Sequence, residues 1–223
     1  MDASELQNKL AAARTRLILD KPFLGALVLR LPLVAANPEW CQGAFTDAKK
    51  LYYNQDYIHT LDIHQTQFVL AKQALHCALS HFARRQHRIK HRWDLACDYA
   101  VNPLLINDGL KAPPETLIDD GFEGMTAEEI YHYIDDLDNE DSELDKENYQ
   151  EQDPDQPDQG AGEKQNSSRD DSQETQSSNE NDVNANLDDN GIDLDQELAA
   201  KPSALTPLEQ EELSVQWQQR LAG

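Results

Sequence analysis

Apolar positions recur at helical spacing in the first part of the chain, condense into short dense runs, and then return to helical spacing. Leu6, Leu10, Ala13 and Leu17 form one stripe, and Ser4 with Gln7 can close a capping box, so residues 4–19 read as an amphipathic helix. Residues 23–36 are almost continuously apolar, and a buried strand and the end of a helix fit them equally well. Asn37-Pro38 marks a turn, and the aromatic run K-L-Y-Y-N within 44–58 suits a strand. Asp62 and Gln65 can cap a helix whose pattern carries on to about Arg88. A further helix is expected from Trp93 to Asn107, strained or ended near Pro103. Pro113-Pro114, Asp119-Asp120-Gly121 and Gly124 make 111–124 a loop, after which Thr126 and Glu129 cap a short helix to about Ile134.

From Asp135 the pattern is lost. Tyr149 is the only aromatic residue between 135 and 200, where Asp, Glu, Gln, Asn and Ser dominate. Such a segment cannot bury enough apolar surface to offset its chain entropy, so an extended, disordered acidic linker is expected over 135–204. Helical signals resume with Thr206, Pro207 and Glu209, and Leu213, Trp217 and Leu221 line one face. That stripe is expected to lie uncovered, with 205–223 leading into a C-terminal region and the chain itself a fragment or a truncated form. Residues 1–134 are then the folded domain.

Charge follows the same division. Residues 1–133 carry 14 Lys and Arg against 16 Asp and Glu, whereas 134–223 carry 5 against 26. Three cysteines (Cys41, Cys77, Cys97) without a C-x-x-C pair read as reduced thiols. The N-terminus lacks a basic segment followed by an apolar core, and Arg30 and Pro32 interrupt the longest apolar run. A cytoplasmic protein with no membrane span is the expectation. Arg84, Arg85, Arg88, Lys90 and Arg92 form the one basic cluster, but no aromatic residues interleave with it for base stacking. A solvated turn is favoured over a nucleic-acid contact, and docking of the acidic segment is a third reading.

Candidate chemistry lies on the helix that starts near Asp62. Its centre reads K-Q-A-L-H (72–76), two letters from H-E-x-x-H, in which two His one turn apart hold zinc and the Glu activates water. At about 100° per residue Lys72 falls inside the apolar stripe of Phe68, Leu75 and Leu79, and His76 at its edge. By the same projection His81, five residues from His76, points elsewhere. His59, His64, His87 and His91 offer no strong substitute, and Cys77 and Cys97 are expected to face the core.

Residues 5–134 resemble the N-terminal metallopeptidase domain of bacterial proteins that also carry a von Willebrand factor A-like domain. K-L-Y-Y-N (50–54), F-V-L-A-K-Q-A-L-H-C-A-L-S-H-F-A-R-R (68–85), R-W-D-L-A-C-D-Y-A-V-N (92–102) and A-E-E-I-Y (127–131) carry the resemblance. It implies an α+β, zincin-like fold, with a metal-site helix beside a small sheet and a disordered acidic tail. It also implies zinc as cofactor and peptide hydrolysis as the family chemistry. His76 then matches the second metal ligand, Asp98 is the candidate third, and Asn102, one turn on, could orient Asp98. Lys72 stands at the first ligand and, as an ammonium, offers no lone pair. Gln73 stands at the catalytic Glu and cannot act as general base. This copy is therefore expected to be catalytically impaired, holding a protein or peptide at an edge strand formed by Leu51-Tyr52-Tyr53. The alternative is a non-enzymatic interaction module with an acidic spacer. The resemblance further suggests a MoxR-type AAA+ ATPase and a von Willebrand factor A-like domain as partners.

Overall fold

The computed structural model describes residues 3–141 and 198–222. Eight α-helices and three short strands are present among them: α1 (Ala3–Asp20), α2 (Pro22–Val28), β1 (Leu33–Ala35), β2 (Ala44–Thr46), β3 (Leu51–Tyr53), α3 (Gln55–Thr60), α4 (Ile63–Ala78), α5 (His81–Arg84), α6 (Lys90–Asn107), α7 (Ala127–Asp141) and α8 (Pro207–Ala222). The architecture is α+β. The central element is α4. Thr66, Gln67, Phe68, Val69, Leu70, Ala71, Ala74, Cys77 and Ala78 are all buried, so apolar contacts surround it rather than meeting a single stripe. The neighbours are α1, α2, α6, α8 and the edge of the sheet. Asp62 closes the expected capping box, accepting from the amides of His64 and Gln65 while the Gln65 side chain accepts from the Asp62 amide.

The two readings of 23–36 are both realised in succession. Pro22 opens α2, whose fixed φ suits a first helical turn, and Leu33–Ala35 then forms β1. Gly25 lets α2 press against α1, because a Cβ there would lie 2.6 Å from the backbone of Ile18. The buried Arg14 guanidinium donates to the Val28 carbonyl at 3.1 Å, satisfying an open end of α2.

The strand order is β1-β3-β2, with β1 parallel and β2 antiparallel to β3. Leu51-Tyr52-Tyr53 is therefore the central strand and not an edge. Its three residues are buried, and both of its ladders are occupied. The edge beside α4 is β2. Asn54 N–H donates to the Gly43 carbonyl at 2.8 Å. By the alternation of an antiparallel ladder the peptide groups of Ala44 and Thr46 then face away from β3. On the far side of the sheet, β1 is bridged by Ala199, whose N–H donates to the Ala35 carbonyl at 2.8 Å.

Three further expectations change. Helix α4 does not run to Arg88: it stops at Ala78, and Ser80 at φ 54 turns the chain into α5. Pro103 does not end α6, which continues to Asn107. The stripe on α8 is not uncovered. Leu213 and Trp217 are buried in the main core, and Trp217 Nε1 donates to the Ala48 carbonyl at 3.0 Å. Lys49 and Glu209 pair at 2.9 Å beside it. Helix α8 thus clamps the β2–β3 turn against α4 and α5. Of the segment expected to be a disordered linker, 135–141 continue α7 and 198–204 are described; 142–197 lie outside the described residues.

Candidate active site

Facing positions of α4 and α6 bring Lys72, His76 and Asp98 together. Lys72 Nζ donates to Asp98 Oδ2 at 2.6 Å, and His76 Nε2 lies 3.2 Å from Asp98 Oδ1. The Lys72 and Asp98 side chains retain 21% and 27% exposure, so the pair sits at the rim of the core rather than in it. Burial works against the Asp98 carboxylate. The His76 hydrogen bond and the Lys72 charge outweigh that cost and hold its pKa below the usual carboxylate range.

His81 joins this group because of the break after Ala78. A continuous helix would carry it away from His76. The left-handed Ser80 and the new turn of α5 instead set His81 Nδ1 2.9 Å from His76 Nδ1. Trp93 Nε1 donates to the His81 carbonyl at 2.9 Å and pins α5 to α6. Burial, followed by the charges of His76 and Arg84, brings the His81 pKa down to about 3, so the ring is neutral at pH 7. In its neutral form His76, with Nε2 directed at a carboxylate, carries its hydrogen there and leaves Nδ1 as an acceptor. His81 Nδ1 is then the donor in the His–His bond.

Gln73 faces the sheet. Its Nε2 donates to the Ala44 carbonyl at 3.1 Å, on the outward side of the β2 edge. Asn102 does not reach Asp98. Its Nδ2 donates to the Leu117 carbonyl at 2.9 Å, and its buried Oδ1 has no partner among the described residues. Cys97 is buried beside Trp93 and Ala127, with its Sγ within 4.8 Å of the His76 and His81 ring nitrogens. Cys77 is a separate buried thiol, 3.4 Å from Thr46 Oγ1, and burial pushes its pKa up to about 12. The basic cluster turns inward in part. Arg84 pairs with Glu128 at 2.5 Å, and Arg88 stacks over Trp93 at 5.0 Å and Tyr131 at 5.7 Å. Among the described residues no helix is long and apolar enough to cross a membrane.

The chain matches the model of the family described as "Putative metallopeptidase domain" over residues 5–220, a span that includes α8. It belongs to that family. No curated protein and no solved structure matches it. Membership in a metallopeptidase family implies a metal, and the Lys72–His76–Asp98 group can be tested against that implication. Two of its groups are potential donors to a cation there, His76 Nε2 and the Asp98 carboxylate. Both are already engaged, with each other and with the Lys72 ammonium, which offers no lone pair. These three residues do not fit a metal.

His81, Cys97 and Ala44 were not legible as parts of the site. The only local sign for His81 is Ser80, a residue type that often precedes a new helix. The positive φ at Ser80 has no signal in a residue that rarely adopts it.

Proposed function

We propose that this metallopeptidase-family domain does not hydrolyse peptides at the family position, and that it uses the same surface to hold an extended protein segment. The ion pair between Lys72 and Asp98 carries this reading. It fills the site with an internal cation, so zinc-dependent attack on a peptide carbonyl has no metal at these residues. Gln73 removes the base in addition, since a neutral amide cannot take a proton from water at useful pH.

Two observations support binding. The outward Ala44 N–H and the outward peptide groups of Thr46 leave β2 able to accept a further strand in the manner of β-augmentation, next to the Ala44 carbonyl that Gln73 already engages. Helix α8 also buttresses the β2–β3 turn through Trp217 and Glu209, holding that edge in place. The expected partner is a protein or peptide, with a MoxR-type AAA+ ATPase and a von Willebrand factor A-like domain as proposed candidates. The internal contacts of Arg84 and Arg88 favour a structural role for the basic cluster over phosphate binding.

The test compares the chain with its Lys72→His/Gln73→Glu revertant in a quenched-fluorescence assay on a mixed peptide library, with zinc supplied to both. The reading expects no turnover by the chain and retained binding of extended peptides. Chelator-sensitive cleavage by the unaltered chain would overturn it. Turnover gained by the revertant alone would show that the two substitutions account for the loss.

A further inference from the structure

We propose that the chain holds a borderline-soft divalent cation such as Zn²⁺ at a site displaced from the family position, formed by His76 Nδ1, His81 Nδ1 and Cys97 Sγ. One ring nitrogen of each histidine and Cys97 Sγ lie within 4.8 Å of one another, and the two Nδ1 atoms face each other at 2.9 Å. They come from three elements, α4, α5 and α6, that converge because Ser80 turns the chain and Trp93 anchors the His81 carbonyl. Cys97 and His81 are 2% and 5% exposed, whereas the His76 side chain is 15% exposed and leaves one side open for a water as fourth ligand.

The donor types suit the cation. One thiolate and two imidazoles form a set typical of zinc and poor for magnesium or calcium. The nitrogen spacing suits it as well, and the sulfur, within 4.8 Å of the ring nitrogens, would draw in toward the roughly 3.6 Å that a tetrahedral zinc requires. Zinc–nitrogen bonds of 2.0–2.1 Å at the tetrahedral angle require roughly 3.3 Å between two ring nitrogens. The two Nδ1 atoms stand 2.9 Å apart, a few tenths of an ångström short, which small χ rotations can supply.

A second observation points the same way. Ligating histidines commonly give their other ring N–H to a carboxylate, which fixes the tautomer and aims the free nitrogen at the metal. His76 has this arrangement: Nε2 meets Asp98 Oδ1 at 3.2 Å, and Nδ1 looks into the cluster. Asp98 is in turn held by Lys72 at 2.6 Å. The Lys72 substitution therefore has a second consequence. It commits His76 Nε2 to Asp98, away from the family position, and leaves Nδ1 for the inner site.

Binding releases one proton, from the Cys97 thiol. The His81 hydrogen moves from Nδ1 to Nε2, and the cation takes its place between the rings. The bound ion would tie the broken end of α4 to α6 and act as a structural centre.

The experiment uses the whole chain, stripped with chelator and titrated anaerobically with Co²⁺. One equivalent is expected to bind with a thiolate-to-cobalt charge-transfer band in the near ultraviolet, which Zn²⁺ then bleaches. Cys97→Ser should lose the band, while Cys41→Ser and Cys77→Ser keep it. X-ray absorption on the zinc-loaded unaltered chain needs no variant, and should show one sulfur at about 2.3 Å with nitrogen at about 2.0–2.1 Å. A folded chain with no band, a band that survives Cys97→Ser, or a shell of nitrogen and oxygen alone would each overturn the proposal. The proposal does not rest on the proposed function: cleavage by the unaltered chain would sink that reading, whereas the absence of sulfur ligation sinks this one only.

Discussion

Trp217→Ala tests whether α8 is part of the domain. Trp217 is fully buried in the main core, far in sequence from the residues it packs against. Truncating a buried Trp to Ala costs about 3–5 kcal/mol, from lost burial and the cavity left behind. The Ala48 carbonyl also loses its partner, the indole N–H at 3.0 Å, which adds on the order of 1 kcal/mol if water cannot reach it. A loss of about 4 kcal/mol is a large part of the usual stability of a domain. With a urea slope on the order of 2 kcal/mol per molar, the midpoint of equilibrium unfolding should fall by about 2 M. The slope itself should stay unchanged, because the same surface is exposed on unfolding. The assay is far-ultraviolet circular dichroism across a urea series on the whole chain. A midpoint shift below about 0.5 M, equivalent to about 1 kcal/mol at that slope, would refute the packing of α8 described above. A separate early transition would show that α8 detaches on its own and does not stabilise the rest.

The Lys72–Asp98 pair can be isolated by a double-mutant cycle with Lys72→Met and Asp98→Asn. Each single change should cost about 1–3 kcal/mol, less than a fully buried pair because both side chains keep solvent contact, and the coupling should exceed about 1 kcal/mol in urea unfolding. A coupling near zero would show that solvent screens the pair. Asp62→Ala should remove the α4 capping box at a cost of about 1 kcal/mol. The Lys111 hydrogen bond, then the amides of Gln65 and His64, hold the Asp62 pKa down to about 2, against an unfolded value near 3.9. Its folded pKa is depressed, so its contribution is fully present above about pH 4 and is lost as the pH falls through about 2. The stability difference between the unaltered chain and Asp62→Ala, followed by urea unfolding at several pH values, should therefore shrink over that interval and stay constant from pH 5 to 7. A difference independent of acid would refute the role of the charged carboxylate.

Local signals succeeded where a local cause decides the structure. The capping boxes at Asp62, Thr126 and Thr206 all form, because each needs only residues three apart. The proximity of His76 and Asp98 followed from the family resemblance, since no spacing within one helix relates α4 to α6. What failed depends on tertiary structure. Strand order is one case: K-L-Y-Y-N reads as a strand at either position, and only Pro32 to Ala36 on one side and Ala44 on the other make β3 central. The stop at Ala78 is another. Nothing in A-L-S-H-F breaks the helical period, yet Ser80 is buried there with its hydroxyl accepting from Ser214 on α8 at 3.1 Å. A contact 134 residues away in sequence accompanies the left-handed turn that delivers His81. The projection of His81 away from His76 was sound for an unbroken helix and failed because the helix is not unbroken.

The two departures from H-E-x-x-H are better understood together than as separate losses. Lys72 brings a positive charge to Asp98, which would otherwise stand as a partly buried carboxylate beside His76. Gln73 brings a donor to the Ala44 carbonyl at 3.1 Å, where a Glu would set its carboxylate against the carbonyl oxygen unless a proton or a water came between. Each substitution thus meets a need of the apo fold: a cation beside Asp98, and a donor beside the β2 edge. Together they leave the Asp98 carboxylate and the Ala44 carbonyl each with a partner in the chain itself. A His at 72 alone would leave Asp98 short of a cation, and a Glu at 73 alone would leave the Ala44 carbonyl short of a donor, so an H-E-x-x-H centre here would need both changes at once and a metal to replace the charge that Lys72 supplies.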